Sequence, residues 1–273
     1  MARDFSKNGS NYMTLGVNAV GPLLNGAAKI SVHAWVYADT FDTGTNENRI
    51  LTIINNTGSV SGVVLCVTDS AGSKLLRAGA RSVSTDGFQA RNATTVITTG
   101  AWHSVGAVYD IAGDVITPYY EGVAEGGGAV TFGNATYTQG SPGVADTDGI
   151  GKGGSDTIAV TTIQWDGRIA ELAIWTDDVG VSNFAALAKG FSPLLVRPDV
   201  ITDFWPLIGN YSPETDIISG KNGTIAGTIA KADHPRIIYP SRPQIRFPGA
   251  AAAGADTYAG RGFGRGILRG VFR

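Results

Sequence analysis

Short apolar runs separated by turn-forming residues recur along most of this chain, and this spacing limits the possible folds more than any other feature. Clusters rich in Gly, Asn, Asp and Ser, such as NNTGSVSG and EGGGA, stand between the runs. Strands at such short intervals, with almost no helical periodicity between them, predict an antiparallel sandwich or barrel. The runs are YMTLG (12–16), KISVHAWVY (29–37), RILTIIN (49–55), GVVLCVT (62–68), KLLRAGARS (74–82), AWHSVGAVYD (101–110), VITPYYE (115–121), GRIAELAIWT (167–176) and VITDFWPL (200–207).

The composition agrees with strands joined by tight turns. Glycine accounts for 38 of the 273 residues, and charged residues for only 16%. The single cysteine, Cys66, excludes an internal disulfide framework and lies in an apolar run, so we expect a buried thiol. The first residues contain no apolar segment of a signal peptide, and no stretch approaches the length of a transmembrane helix. We therefore expect synthesis in a cytoplasm, no ordinary secretion and no membrane partner.

One helix is predicted late in the strand-rich region, over residues 179–190. Ser182 would cap its N-terminus and Gly190 would end it. The residues that would share one apolar face are Val181, Phe184, Leu187 and Ala188.

The composition changes near residue 209, where prolines become frequent, and three regions are predicted. Residues 1–208 form the strand-rich body. Residues 209–248 form a proline-rich extended arm with a short hairpin over 222–230. Residues 249–273 form a Gly- and Arg-rich tail that cannot bury a core by itself.

Three segments of the body resemble the concanavalin A-like and laminin-G-like jelly rolls, on the side of the pentraxins. They are ISVHAWVYADTF, AWHSVGAVYD and DGRIAELAIWTDDVGVSNFAALAKGFSPLLVRPD. These would be an early strand from Ile30 to Val36, a middle strand from Trp102 to Asp110, and a late strand from Trp165 to Trp175 followed by a short helix. The resemblance implies an all-β, antiparallel two-sheet jelly-roll sandwich with one short helix and an extended C-terminal arm.

A second resemblance is narrower. The stretch KGFSPLLVRPDVITDFWPLIGN, with NGTIAGT and ADHPRIIYP after it, is similar to the tail of laminin-G-like proteins encoded by tailed phages and prophages. This resemblance implies a virion context without saying which part of the virion.

The chain lacks the residue patterns of hydrolases, and we predict no enzymatic activity. A retaining glycosidase needs two carboxylates flanking the scissile bond, which related folds supply from alternate residues of one strand. The five glutamates are at 47, 121, 125, 171 and 214, and none of them forms the E-x-D-x-(x)-E pattern of those enzymes: Glu121 and Glu125 are four residues apart, but no aspartate lies between them. The three histidines lack an accompanying G-x-S-x-G motif. Glu171, alone among apolar neighbours, is expected to be a structural carboxylate tied to an arginine or to backbone amides.

Two kinds of ligand remain open. Jelly rolls of the resembled class often hold calcium at a loop rim, and Asp146 and Asp148 in the Gly-rich loop 145–154 are the candidate metal ligands, with loop 39–48 as a further candidate. The alternative is that these residues only form turns. No other cofactor is expected. Sugar binding would need exposed aromatic side chains, and those available are Tyr119, Tyr120, Tyr137 and Trp165.

The chain ends in GRGFGRGILRGVFR, with an arginine at every fourth position. Arginines mixed with large apolar residues suit docking onto a partner protein. Nucleic acid, which arginine- and glycine-rich tails also contact, is the less favoured partner. The alternative is a solvated tail. The candidate partner-binding residues are Arg261, Phe263, Arg265, Ile267, Leu268, Arg269, Phe272 and Arg273.

These observations predict a non-enzymatic virion structural protein, and most specifically a phage capsid decoration or cement protein. Its C-terminal arm would anchor it to the major capsid protein or other virion proteins, and it would form a homo-oligomer within the assembly. Its location would be the virion, assembled in the host cytoplasm. The alternative is a lectin-like adhesin or tail-fibre module that recognises a glycan.

Overall fold

The computed structural model of the chain describes residues 2–6, 11–42, 47–57, 60–152, 163–209 and 212–240. By its contacts, the range Met1–Tyr239 forms one compact unit. Among the described residues, no helix is long and apolar enough to cross a membrane. The candidate partner-binding residues of the tail, from Arg261 to Arg273, lie outside the described residues.

Strands dominate the part of the chain that the structure describes. The strands are β1 (Ala2–Phe5), β2 (Tyr12–Gly16), β3 (Lys29–Ala38), β4 (Glu47–Asn56), β5 (Val60–Ser70), β6 (Ser73–Ala80), β7 (Gln89–Val96), β8 (Trp102–Asp110), β9 (Val115–Tyr120), β10 (Val123–Ala124), β11 (Gly128–Ala129), β12 (Asp148–Ile150), β13 (Gly167–Trp175), β14 (Ile201–Trp205), β15 (Thr224–Ala226) and β16 (Ala230–Ala232). The helices are α1 (Val181–Ala188) and two 3₁₀ turns, Gly21–Leu24 and Pro193–Leu195.

The strands form two antiparallel sheets. The first sheet has the order β10-β9-β8-β3-β13-β1-β16, with β11 also pairing with β9 and β14 with β13. The second sheet has the order β15-β2-β12-β4-β5-β6-β7. Every strand pair is antiparallel, and the predicted all-β jelly-roll sandwich with one α-helix is confirmed.

The main core lies between the two sheets. Alternate residues of each strand point inward, so Val32 and Val36 of β3 meet Val63 and Leu65 of β5 in one buried cluster. Each such aliphatic side chain contributes roughly 1.5–3 kcal/mol when it is fully buried. The side chains on the outer faces take no part in this core, and they can therefore differ between the two sheets.

Strand β13 runs through the middle of the first sheet, but its two faces differ from the simple alternation predicted for it. Its pairing with β3 shifts between Ala170 and Ala173, and Glu171 has a left-handed φ of 53°. This bulge places Ile169 and Leu172 on the same inner face. Simple alternation would place Ala170, Leu172 and Ile174 on one face, but the inner cluster contains Ile169 in place of Ala170, because the extra residue changes the parity of the strand.

Helix α1 covers one end of the outer face of the first sheet. It begins at Val181 after Gly180, rather than at the predicted Ser182 cap, and its buried residues are Phe184 and Leu187. Phe184 stacks on Tyr119 with ring centroids 3.9 Å apart, in a second apolar cluster outside the sheet. Gly190, with φ of 86°, follows the helix end as predicted.

The segment after residue 212 joins both sheets. Strand β15 pairs with β2 in the second sheet, whereas β16 pairs with β1 in the first. The hairpin predicted over 222–230 is therefore wrong, since its two strands belong to different sheets. A buried ion pair between Arg3 Nε and Glu214 Oε1, at 2.5 Å, ties this segment to β1.

Candidate functional site: an arginine face on the second sheet

The outer face of the second sheet carries three arginines that sequence spacing did not reveal. Strand pairing places Arg49 of β4 and Arg77 of β6 on either side of Cys66 of β5, each as a direct cross-strand neighbour. Because Cys66 is small, the two arginine side chains can lie over it, and the thiol is only 1% exposed. Burial raises the pKa of Cys66 to about 12, so the sulfur acts as an inert spacer.

A third arginine completes the group. Arg81 follows the end of β6, and its guanidinium carbon lies 5.6 Å from the centroid of the Phe88 ring. Phe88 fits against β6 because Gly79 has no side chain: an added Cβ there would lie 2.3 Å from the ring. We call this open pocket, of about 220 Å³, the arginine face; it is lined by Glu47, Arg49, Ser61, Arg77, Arg81 and Phe88.

The charges on the arginine face do not balance. Glu47 is its only carboxylate, and it lies 2.5 Å from Nη2 of Arg49 and 3.6 Å from Nε of Arg77. The second distance is too long for a hydrogen bond. Three guanidinium groups against one carboxylate leave an excess of positive charge in the pocket.

The arginines also keep unused donors. The Nε atoms of Arg49, Arg77 and Arg81 are buried and have no hydrogen-bond partner. The remaining contacts of Arg49 Nη1 are long, at 3.4 Å to the Thr52 hydroxyl and 3.5 Å to the Ser61 hydroxyl. A buried donor without an acceptor costs about 1–3 kcal/mol, so a ligand oxygen supplied here would recover that energy.

The candidate metal ligands are placed differently. Asp148 is fully buried in β12, and its two carboxylate oxygens accept hydrogen bonds from the amides of Ile54 at 2.8 Å and Val20 at 2.9 Å. Burial raises the pKa of Asp148 to about 6. Asp146 accepts a hydrogen bond from the amide of Gly143 at 3.1 Å. Asp148 thus serves the local backbone, which fits the turn-forming alternative better than a calcium ligand.

Within the described ranges, no group of three or more His, Cys, Asp or Glu side chains could hold a metal ion. Residues 43–46 and 153–154 of the two candidate loops lie outside those ranges. Calcium binding therefore stays a prediction, and no step below depends on it.

The four aromatic residues considered for sugar binding are all buried, and that expectation is wrong. Tyr119 stacks under α1, and the Tyr120 hydroxyl lies 2.9 Å from Nδ1 of His103. The Tyr137 hydroxyl donates to Gln139 Oε1 at 2.7 Å. Trp165 is fully buried and packs against Phe41, with centroids 6.2 Å apart. Each of these side chains points into the sandwich or under the helix.

Glu171 has a structural role, as predicted, although its partners are different from those expected. Its Oε1 accepts a short hydrogen bond from the Tyr239 hydroxyl and lies 3.3 Å from Nε2 of His234. Glu171 therefore links the segment around 234–239 to the outer face of the first sheet. In these contacts its carboxylate is bound by a tyrosine and a histidine, and not by an arginine or a backbone amide.

No protein-family model matches the sequence, and no curated protein sequence matches it. Solved structures do match the fold. A Bacteroides ovatus protein provisionally described as carbohydrate-binding superposes with a TM-score of 0.61 at 19% identity, covering 87% of this chain and 61% of its own. The chain therefore spans less than two thirds of that protein.

Two further structures share the fold. The heptameric SAP-like pentraxin of Limulus polyphemus has a TM-score of 0.50 at 15% identity, covering 68% of this chain and 81% of its own. The CBM40 module of a Ruminococcus gnavus IT-sialidase, solved with α2,3-sialyllactose, has a TM-score of 0.52 at 10% identity, covering 68% of this chain and 95% of its own. At these identities the likeness establishes the concanavalin A-like sandwich, and the resemblance to phage proteins finds no support.

Proposed function

We propose that this protein is a non-catalytic carbohydrate-binding module that takes acidic glycans on the arginine face. This was the alternative at the level of sequence, and it is now preferred over the capsid decoration protein. The observation that carries it is the set of three guanidinium groups that share one carboxylate, Glu47, in an open pocket, with no hydrogen bond from any of their Nε atoms. The lectin-like and carbohydrate-binding neighbours support the proposal at the level of fold.

The ligand class follows from the chemistry of the pocket. Guanidinium groups pair with carboxylates through two parallel hydrogen bonds, and Nε is one of the donors in that arrangement. The excess positive charge favours an anionic sugar over a neutral one. Phe88 supplies an apolar wall against which the carbon face of a sugar ring can pack.

The test is calorimetric titration of the full chain with sialyllactose and with oligogalacturonate, against lactose as the neutral parent. We expect the acidic sugars to bind and Arg77→Ala to weaken their binding by about tenfold or more, the equivalent of about 1.4 kcal/mol. Arg77→Lys keeps the charge but removes the fork of donors, so it should restore only part of the affinity.

Arg91→Ala is the matched control, because Arg91 lies on the neighbouring strand β7 and does not line the pocket. It should leave the affinity within about twofold of the unmodified chain, a change well under 1 kcal/mol. Equal binding of lactose and sialyllactose, or equal losses in the Arg77→Ala and Arg91→Ala variants, would contradict the proposal.

A virion location is a separate proposal, which rests only on the sequence pattern of residues 189–240 and on the arginine-rich tail and has no support from the solved structures. A glycan-binding module carried on a particle would satisfy both proposals, with the tail residues contacting the partner. Comigration of the chain with intact particles in a density gradient is the measurement that tests the location.

A further inference from the structure

The outer face of the first sheet carries a second set of converging side chains, at the end that helix α1 leaves open. Asp4 of β1, Arg168 of β13, Tyr37 of β3 and Trp102 of β8 are successive cross-strand neighbours in register. They therefore form a straight line across four strands. We call this line the aromatic row.

The members of the aromatic row contact one another and remain accessible. The guanidinium carbon of Arg168 lies 4.4 Å from the centroid of the Tyr37 ring, and Tyr37 meets Trp102 edge-on with centroids 5.8 Å apart. All four side chains are half-buried. An open pocket of about 350 Å³ adjoins the charged end of the row, where Lys231 and Asp233 also line it.

Two buried donors on this face have no acceptor. One is Nε of Arg168, within the row, and the other is Nε1 of Trp35, which lies two residues before Tyr37 on the same face of β3. Neither the sheet nor the described C-terminal segment supplies an oxygen to them. Because both atoms are buried, a ligand hydroxyl would pair with them only if the side chains turned towards it on binding.

We infer that the aromatic row is a second carbohydrate site, which takes an uncharged sugar. The Tyr37 ring lies against Arg168, so Trp102 is the aromatic side chain that would receive the C–H-rich face of a pyranose ring, while Arg168 and Asp4 give one donor group and one acceptor group for its hydroxyls. The nearby charges argue for the uncharged class. Burial, and then the charge of Asp39, raises the pKa of Asp4, Arg168 lowers it, and Asp166 adds a further negative charge near Asp4.

This electrostatic setting differs from that of the arginine face. An anionic sugar would meet several carboxylates here, whereas a hydroxyl can donate to a carboxylate and accept from a guanidinium in the same position. The two faces lie on opposite sides of the sandwich, because one belongs to each sheet. The inference consequently does not depend on acidic sugars binding to the arginine face.

The experiment is titration of the full chain with neutral hexasaccharides of β-1,4-glucose, β-1,3-glucose, β-1,4-mannose and β-1,4-xylose, read by tryptophan fluorescence and by calorimetry. At least one of these should bind. Trp102→Ala should weaken that binding by about tenfold or more. Arg91→Ala, which belongs to neither the aromatic row nor the arginine face, is the matched control and should change it by less than about twofold.

Trp102 is half-buried in a strand, so a second variant is needed to separate a loss of sugar binding from a loss of folding. Asp4→Asn preserves the size of the side chain and should also weaken binding, while the melting temperature reports whether the sheet is intact. Absence of binding to all four neutral sugars would overturn the inference. It would also be overturned if Arg77→Ala removed the binding while Trp102→Ala and Asp4→Asn did not.

Discussion

A buried pair of carboxylates illustrates how much a single residue can determine in this fold. Asp203 of β14 is fully buried, and one of its oxygens accepts a hydrogen bond from the Ser219 hydroxyl at 2.9 Å. Asp216 lies on the other side of that hydroxyl and accepts hydrogen bonds from the amides of Phe204 and Ile218. Burial, and then the charge of Asp216, raises the pKa of Asp203 to about 7.

This raised pKa predicts a specific dependence of stability on pH. The folded state binds the Asp203 proton more tightly than the unfolded state does, so the group's contribution is complete below about pH 4 and is lost as the pH rises through about 7. Asp203→Asn resembles the protonated form at every pH. Its free energy of unfolding, relative to the unmodified chain, should therefore increase between about pH 4 and pH 8.

Urea denaturation at several pH values measures this difference, with Asp233→Asn as the control because Asp233 is exposed. The control should follow the unmodified chain across the same range. A difference between Asp203→Asn and the unmodified chain that did not change with pH would show that Asp203 is charged in the folded state.

At the scale of elements, the end of α1 and the C-terminal segment depend on one glycine. Ile238 exchanges backbone hydrogen bonds with the chain around Gly190: the Ile238 amide donates to the Gly190 carbonyl at 2.7 Å, and the Ser192 amide donates to the Ile238 carbonyl at 3.0 Å. Gly190 has φ of 86°, and an added Cβ would lie 2.4 Å from the carbonyl oxygen of Arg236. Both the left-handed backbone and the close approach therefore require glycine.

Gly190→Ala should accordingly destabilise the chain more than a left-handed alanine does elsewhere. Gly72, in the turn between β5 and β6, has the same φ of 86° but no atom within 4 Å of an added Cβ. Gly72→Ala should cost about 1–2 kcal/mol from backbone strain alone. Gly190→Ala should lower the free energy of unfolding by that amount and, in addition, by the cost of displacing the segment around Arg236. A lower urea midpoint measures this loss. Equal losses in the two variants would mean that the segment moves aside freely.

Elements with strong apolar patterns could be read from the sequence, and those with weak patterns could not. The nine predicted runs all correspond to strands, and the predicted helix corresponds to α1. Strand β7 has a mainly polar sequence, QARNATTV, because it lies at the edge of the second sheet. Strand β12 has only three residues, so its place in the middle of that sheet is set by its neighbours.

The arginine face could not be predicted for a similar reason, since no strong pattern along the sequence marks it. Arg49, Arg77 and Arg81 come from separate segments, and only the register of β4, β5 and β6 brings them together. The sequence held a faint signal, since Arg49 and Arg77 each occupy a polar position in an otherwise apolar strand. The sequence alone does not give the pairing that would make one site of them.

At the scale of the whole molecule, the two sheets present opposite chemistry to solvent. The second sheet has an excess of guanidinium groups around one pocket, and the first sheet has aromatic rings beside carboxylates. The sheets of a sandwich are packed about 10 Å apart, so ligands bound on the two outer faces do not touch. A chain that binds both sugars would hold them on opposite sides at the same time.

Independent occupation is therefore the expected behaviour of the intact chain. Saturating it with the best neutral hexasaccharide should change the affinity for sialyllactose by less than about twofold. Raising the salt concentration should separate the two faces further, because screening weakens the ionic contacts of the arginine face over a Debye length of about 8–10 Å while stacking on Trp102 is little affected. Competition between the two sugars in calorimetry, or an equal salt dependence of both, would indicate a single shared site in place of two faces.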